Sequence, residues 1–509
     1  MENKMNRKIL AASCLAASLI AGCSAVSTEN TSQKLSNTGK NSISQDLMRS
    51  VLPHNDGWAA AEGQVTGGSD ALDAHIYTVS SRKAFVDALK EAGNLPKIIR
   101  ISGTINLSSN DQGRELIEAD YRVAPYNFED YKNAYAPAIW NIQPLIKKRP
   151  NRDLTGPQEE ARLASAKKQK DQIVIDVPSN TSIIGLGKNA KIIKGTLQIS
   201  AGVENVIIRN IAFEDAFDYF PGWDPGDSFK IDTNYPGCMG EYVNANQGPQ
   251  KCPGGRWNSE YDLISINGGK RVWIDHSTFS DGDRPDSLFP PVYPFPQNEI
   301  TQKVQHHDGL VDITNQADLV TISNSYFHDH DKAFLIGNSD GKTADTGYLR
   351  VTLHGNYFKN VGQRMPRVRY GKVHAYNNYF VGNAQGDGVG ANAYERHVDS
   401  LINKPKHNIV RQVLGAGKES AIYSEANVFE IENGNPSHAI GNMKGKVAYD
   451  QGSMFNGKMI DIVEEANKAS GKPLSKDVGW TPTLYGPTPV LPASEVIDYV
   501  KENAGAGKL

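Results

Sequence analysis

An all-β fold is predicted by this sequence: a right-handed parallel β-helix with terminal helical caps and long side loops. Three observations predict it. An eight-residue pattern recurs as Val206–Phe213, Val272–Phe279, Val320–Phe327, Val351–Phe358 and Val373–Phe380, with a weaker copy at Ile422–Phe429. Each copy is apolar at its first and third positions, usually Asn or His at its fifth, and Phe at its eighth; the opening alternation is strand periodicity. Successive copies lie 66, 48, 31, 22 and 49 residues apart, and the shortest interval is one solenoid coil, too short for a propeller blade. The polar fifth position predicts a turn, because Asn tolerates the left-handed region. Asn at equivalent turns should stack into a ladder.

In chain order, residues 1–22 read as an export signal. Lys4, Arg7 and Lys8 precede an apolar run, Ile9–Ala21, that is too short to span a bilayer. It ends in Leu19-Ile20-Ala21-Gly22-Cys23, which resembles a bacterial lipobox and implies cleavage before Cys23 and lipidation of its sulfur. An ordinary secretory signal is the alternative. Ser24, where inner-membrane retention is associated with Asp, implies an outer-membrane anchor, at the cell surface or periplasmic face. Residues 23–55 are rich in Ser, Thr and Asn and read as a flexible tether. Residues 56–509 are expected to form a single β-helix. Ser80–Leu89 suits an N-terminal capping helix with a Ser cap, and Ser494–Glu502 a C-terminal one. Residues 108–172 read as a polar side insertion containing a helix near 156–170. Cys238 and Cys252 lie in a Gly/Pro/Asn-rich loop; in an exported protein they are disulfide candidates, with two free thiols the alternative. Nothing speaks for oligomerisation, so a monomer is expected.

The 509 residues carry a net charge of −3, which argues against a nucleic-acid partner. An anionic ligand must therefore be met locally, and Arg364-Met365-Pro366-Arg367-Val368-Arg369 is such a locus. Asp262, Asp308, Lys332 and Arg364 each open a strand 9 to 19 residues before a repeat. On successive coils they should form one row, roughly 14 Å long at the strand spacing, which fits a polymer lying along the solenoid. Asp262, Asp308 and Asp312, with Glu260 as a possible fourth, are hard oxygen donors suited to Ca²⁺. Asp308 and Asp312 can share one ion only if the backbone bends near Gly309. A salt-bridge network of Lys332, Arg364 and Arg369 with Asp329 and Asp331 is the plainer alternative for the cations. His306, His307, His328 and His330 read as packed residues, Trp257 and Trp273 as packing, and Arg367 as a structural ion pair. Asp283-Arg284-Pro285-Asp286 has no evident role.

Four motifs carry a resemblance: Val272-Trp273-Ile274-Asp275-His276, Gln305-His306-His307-Asp308-Gly309 with Asp312, His328–Lys332, and Gln363–Arg369. In this order they resemble the pectate lyase superfamily, polysaccharide lyase family 1, most strongly over residues 180–390. The resemblance implies Ca²⁺ on Asp262, Asp308 and Asp312, Arg364 as the base that takes the C5 proton, and Lys332 and Arg369 on uronate carboxylates. The implied reaction is β-elimination on α-1,4-polygalacturonate, leaving a 4,5-unsaturated sugar, with an alkaline optimum because an arginine must lose its proton. A pectin lyase acting on methyl-esterified substrate, or an inactive pectin-binding surface protein, are the alternatives. The clustered Asp argue against the first and the intact Lys332–Arg364–Arg369 set against the second.

Overall fold

The eight-residue repeat builds the corner between two of three stacked parallel sheets. In the computed structural model, which describes residues 45–135, 154–224, 241–244, 248–251, 256–285, 305–385, 409–485 and 489–509, the first sheet has ten strands, from Ile76–Val79 to Val447–Gln451. The first positions of the repeats pair directly: Val206 with Val272, Val320 with Val351 and Val351 with Val373. The fifth position turns the corner in the left-handed region, with φ of 58° at Asn210, 44° at Asn324 and 50° at Asn377. Gly355 takes φ 63° there without the Cβ conflict that His276 and Ala426 accept. The chain then enters the second sheet, whose strands include Tyr326–Lys332 and Tyr357–Gln363, and passes to the third, which includes Val311–Thr314, Leu335–Ile336 and Arg367–Val368.

The Phe positions form one internal stack. Phe213, Phe279, Phe327, Phe358, Phe380 and Phe429 follow each other with ring centroids 4.8–5.2 Å apart, all buried. Each ring removed from water contributes about 1.5–3 kcal/mol, so the stack is a main axis of the core.

Two expectations shift. The polar ladder stands at the sixth repeat position, one residue beyond the expected fifth. Asn356 Nδ2 donates to Asn378 Oδ1 (3.0 Å) and Asn378 Nδ2 to Asn427 Oδ1 (3.0 Å), with Ser277, Ser325 and Ser453 at the other rungs. The reason is direction: the left-handed fifth residue reverses the chain, so the sixth side chain points inward among unpaired amides. The C-terminal helix is observed as Ala493–Asn503 and does not close the solenoid's end. It lies on the side of the second sheet with Tyr379 and Val428. Beyond it the chain runs back across earlier coils, donating from Gly505 N to Asn324 O and from Gly507 N to Asn210 Oδ1. Ile462–Lys468 joins the main core at the C-terminal coils.

At the other end, Arg82–Glu91 caps the N-terminal coils, with Ser81 Oγ accepting from Ala84 N and Phe85 and Leu89 in the core. The tether gives way to packed structure before residue 55: Met48 and Leu52 are buried, Leu52 against Ile207 and Trp273 on the outside of the first sheet. The insertion packs Tyr121, Tyr126, Tyr131 and Tyr135 with Phe220, Trp223 and Trp257 from later in the chain into an aromatic cluster beside a helix, Pro157–Ile173. Cys23, Cys238 and Cys252 lie outside the described residues. Among the described residues, no helix is long and apolar enough to cross a membrane.

Candidate active site

Strand register aligns the charged residues. Gly309 pairs with Lys332, Lys332 with Gln363, and the pairing of Ile264 with Val311 sets Asp262 level with Gly309. Asp262, Asp308, Lys332 and Arg364 therefore stand within one residue of the same position on successive coils. They follow the corner where the second sheet leads into the third.

The first half of the row is acidic. Asp262 Oδ1 accepts from Gly309 N (2.9 Å) and Asp312 Oδ1 from Leu335 N (2.9 Å). Both oxygens lie within 2.7 Å of where a Cβ on Gly309 would sit, so the glycine leaves a cradle between two facing carboxylates. The cradle is lined by Asp262 and Asp312, while the Asp308 carboxylate is turned to Lys332 Nζ. Burial, then Asp312 and Asp308, push the Asp262 carboxyl well above its usual range. Burial and Asp308 push Asp312 up to about 7. Asp308 behaves oppositely: burial raises it, but Lys332, whose Nζ is 2.5 Å from Oδ1, outweighs this and holds it low. No three acidic, His or Cys groups among the described residues form a closed ligand set; Asp308 accepts from Lys332 Nζ instead. The donor chemistry and the cradle fit a hard divalent cation at Asp262, Asp308 and Asp312. Glu260 does not join them; it is exposed and turned toward Lys170 Nζ at 3.8 Å.

The second half is basic. Arg364 sits between strands with φ 60°, a strained conformation for a residue with a Cβ, and the left-handed step breaks the alternation that would otherwise send Arg364 and Arg369 to opposite faces. Its buried Nε has no hydrogen-bond partner, and no carboxylate pairs with it among the described residues. Lys332 Nζ also donates to Gln305 Oε1 (3.2 Å). Arg369 is held by Asp340 (2.9 Å) and by the carbonyls of Gly337 and Asn338. The cations are thus not paired with Asp329 and Asp331, which bind His328 and Asn360, and Arg411, respectively. The structural ion pair expected of Arg367 is absent among the described residues.

Behind the row lies a buried network that the sequence reading missed. His330 Nδ1 faces Asp281 Oδ1 at 2.7 Å, and its Nε2 faces the carbonyls of Asp308 (2.8 Å) and Lys332 (3.0 Å). His307 Nε2 meets Asp215 Oδ1 (3.1 Å), and Asp215 Oδ2 accepts from Arg284 Nε (2.8 Å). The Arg284 guanidinium lies 4.1 Å over the Phe217 ring, which gives the arginine of the Asp283-Arg284 pair a place; Asp286 lies outside the described residues. His306 stacks on the Phe217 ring itself, with centroids 4.2 Å apart. Asp218, pushed up to about 7 by burial, accepts from Phe220 N and Glu260 N. A signal existed: two residues beyond the repeat's Phe stand Asp215, Asp281, Asp329 and Asn360.

The family described as pectate lyase matches residues 13–124, 141–236 and 245–509. The chain belongs to the pectate lyase family. It is 42% identical over 466 residues to a pectate lyase of Bacillus subtilis (strain 168), covering 91% of this chain and 94% of that one. It is 32% identical over 461 residues to pectate lyase A of Dickeya chrysanthemi, covering 89% and 88%. A solved pectate lyase bound to hexasaccharide superposes with a TM-score of 0.74 at 40% identity, over 91% of this chain and all of that one. These relatives make the chain a polysaccharide lyase on the β-helix that the repeats predicted.

Proposed function

We propose that this pectate lyase cleaves α-1,4-polygalacturonate by β-elimination, with Arg364 as the base. The observation that carries the reading is the polarity of the row: the buried, facing carboxylates of Asp262 and Asp312 at one end, and at the other an Arg364 with no ion pair among the described residues. A polyuronate lying across it brings negative charge to the basic half. Ca²⁺, when bound by Asp262, Asp308 and Asp312, supplies a positive charge that stabilises the anion developing on the substrate carboxylate. Lys332, and the Arg369 donors not used by Asp340, hold uronate carboxylates.

The C5 hydrogen lies α to that carboxylate. Neutral Arg364 takes it as a proton; the C5–H electron pair becomes the C4–C5 double bond as the C4–O bond breaks. The departing oxygen takes a proton from water, and Arg364 returns its own to solvent. Because Arg364 must be neutral to begin, the rate rises toward alkaline pH. The test is ultraviolet absorbance of unsaturated product on polygalacturonate and on methyl-esterified pectin, each with and without chelator. Product on polygalacturonate that chelator abolishes is expected. Absence of product on both substrates overturns the lyase reading, and chelator-resistant preference for the ester indicates a pectin lyase.

We also infer that the enzyme is a monomer exported with a lipid on Cys23, anchored in an outer membrane, and that Cys238 and Cys252 form a disulfide. The lipobox-like run before Cys23 supports the anchor. Incorporation of an alkynyl fatty acid that Cys23→Ser abolishes is the expected result, and unchanged labelling of that variant overturns it.

A further inference from the structure

We infer that Arg367 is a second uronate-binding residue, gripping the carboxylate of a sugar other than the one Arg364 deprotonates. This rests on the polygalacturonate reading above. Arg367 stands on the strand Arg367–Val368 of the third sheet, where Val368 is fully buried in the core and Arg367 alternates to the outer face. In register it lies level with Leu335 and, one coil further back, with Asp312. It therefore shares the face that carries the acidic cradle, two coils along the solenoid.

The one carboxylate that acts on it, Asp340, is engaged by other cations and makes no ion pair with it. Leu335 precedes it in register and Gly415 follows, with Met443 Sδ occupying the space a Gly415 side chain would take. The carboxylate of nearby Asp340 is shared by Arg369 Nε (2.9 Å) and Lys444 Nζ (2.7 Å). The buried Nε of Arg367 has no hydrogen-bond partner, and no carboxylate lies within ion-pair distance among the described residues. Burial, then Arg369 and Arg364, hold its guanidinium down at about 10. A half-buried cation kept beside two others without a counter-ion costs stability unless function retains it. A guanidinium matches a carboxylate with two parallel hydrogen bonds. A polyuronate presents one carboxylate per sugar, so a chain seated on Lys332 and Arg364 carries further carboxylates past Arg367.

The experiment is steady-state kinetics of Arg367→Leu and Arg367→Lys on polygalacturonate and on pectins of graded esterification, with thermal unfolding of each variant. In Arg367→Leu, KM on polygalacturonate rises about ten- to a hundredfold while kcat stays within a few-fold, the loss of one charge-assisted contact. Its unfolding midpoint is not lowered, because an uncompensated charge has been removed. Arg367→Lys gives an intermediate KM. Raising esterification erodes the wild-type affinity more than that of Arg367→Leu. An unchanged KM in a folded variant, or a fall in kcat alone, overturns the inference. If Arg367→Leu unfolds, a lowered midpoint with wild-type KM in Arg367→Lys also overturns it, in favour of a structural role. An inactive wild type on polygalacturonate would instead sink the proposed reaction, so the two failures are distinguishable.

Discussion

The acidic and basic halves of the row stand on the same corner of successive coils, yet they are unbalanced in opposite senses. At the acidic end burial pushes both carboxyls up, Asp262 further through Asp312 and Asp308, and Asp312 further through Asp308. At the basic end, Arg364 and Arg367 keep buried Nε atoms with no partner. Lys332 bridges the two, held to Asp308 at 2.5 Å. Several cations on the first sheet are matched instead: Arg350 by Asp318 and Glu62, and Arg209 by Asp275. Lys97, fully buried on that sheet, has only Ser179 O and Thr181 Oγ1 as partners, so what sets the row apart is that carboxylates and guanidiniums are unbalanced side by side.

The contrast breaks first at Arg364. Arg364→Ala is expected to lose about a hundred- to ten-thousand-fold in kcat, the usual size of a removed general base, with folding and Ca²⁺ binding intact; initial rates and a Ca²⁺ titration check it. A loss of Ca²⁺ binding would show that the halves are not separable.

His330 tests whether the buried network sharpens the row. It ties the backbone carbonyls of Asp308 and Lys332 to Asp281 from behind. His330→Ala should weaken Ca²⁺ affinity about ten- to a hundredfold, as supporting residues of metal ligands do, and His330→Gln, which keeps one donor, should recover part. Isothermal titration reads both.

The acidic half makes a prediction about stability. Asp312 is raised from 3.8 to about 7 in the fold, so the folded state binds more protons than the unfolded chain between those values. Without Ca²⁺, stability therefore falls as pH rises from about 4 to about 7 and stays low above it. Asp312→Asn should remove much of that fall, stabilising the Ca²⁺-free protein by about 1–3 kcal/mol at pH 8 while abolishing its stabilisation by Ca²⁺. Denaturant melts across pH test this; a variant less stable than wild type without Ca²⁺ would contradict it. The smallest effect belongs to the balanced part of the molecule: Asn378→Ala should cost about 1–3 kcal/mol through unpaired ladder amides, with kcat unchanged.

Much of this was legible from one line of residues. The repeat carries its own register, so the coils and the row of Asp262, Asp308, Lys332 and Arg364 followed from counting. The ladder was misplaced by one residue because a left-handed turn decides which side chain faces inward, and periodicity does not show the turn's direction. The C-terminal helix was recognised by its pattern, but nothing local says whether an amphipathic face meets the end of a solenoid or its side. Glu260 was close in sequence to Asp262, yet it lies outside the strand Ile264–Asn267 and turns to Lys170. The His330–Asp281 and Arg284–Asp215 pairs join residues 49 and 69 positions apart, and only folded coils bring them together.

The most direct measurement of the central claim is proton release on Ca²⁺ binding, by calorimetry in buffers of different ionisation enthalpy. If burial and neighbouring carboxylates keep protons on Asp262 and Asp312 that Ca²⁺ displaces, binding near pH 6 releases about one to two protons and binding at pH 9 releases almost none. Equal release at both pH values, or no Ca²⁺ binding at either, would contradict it.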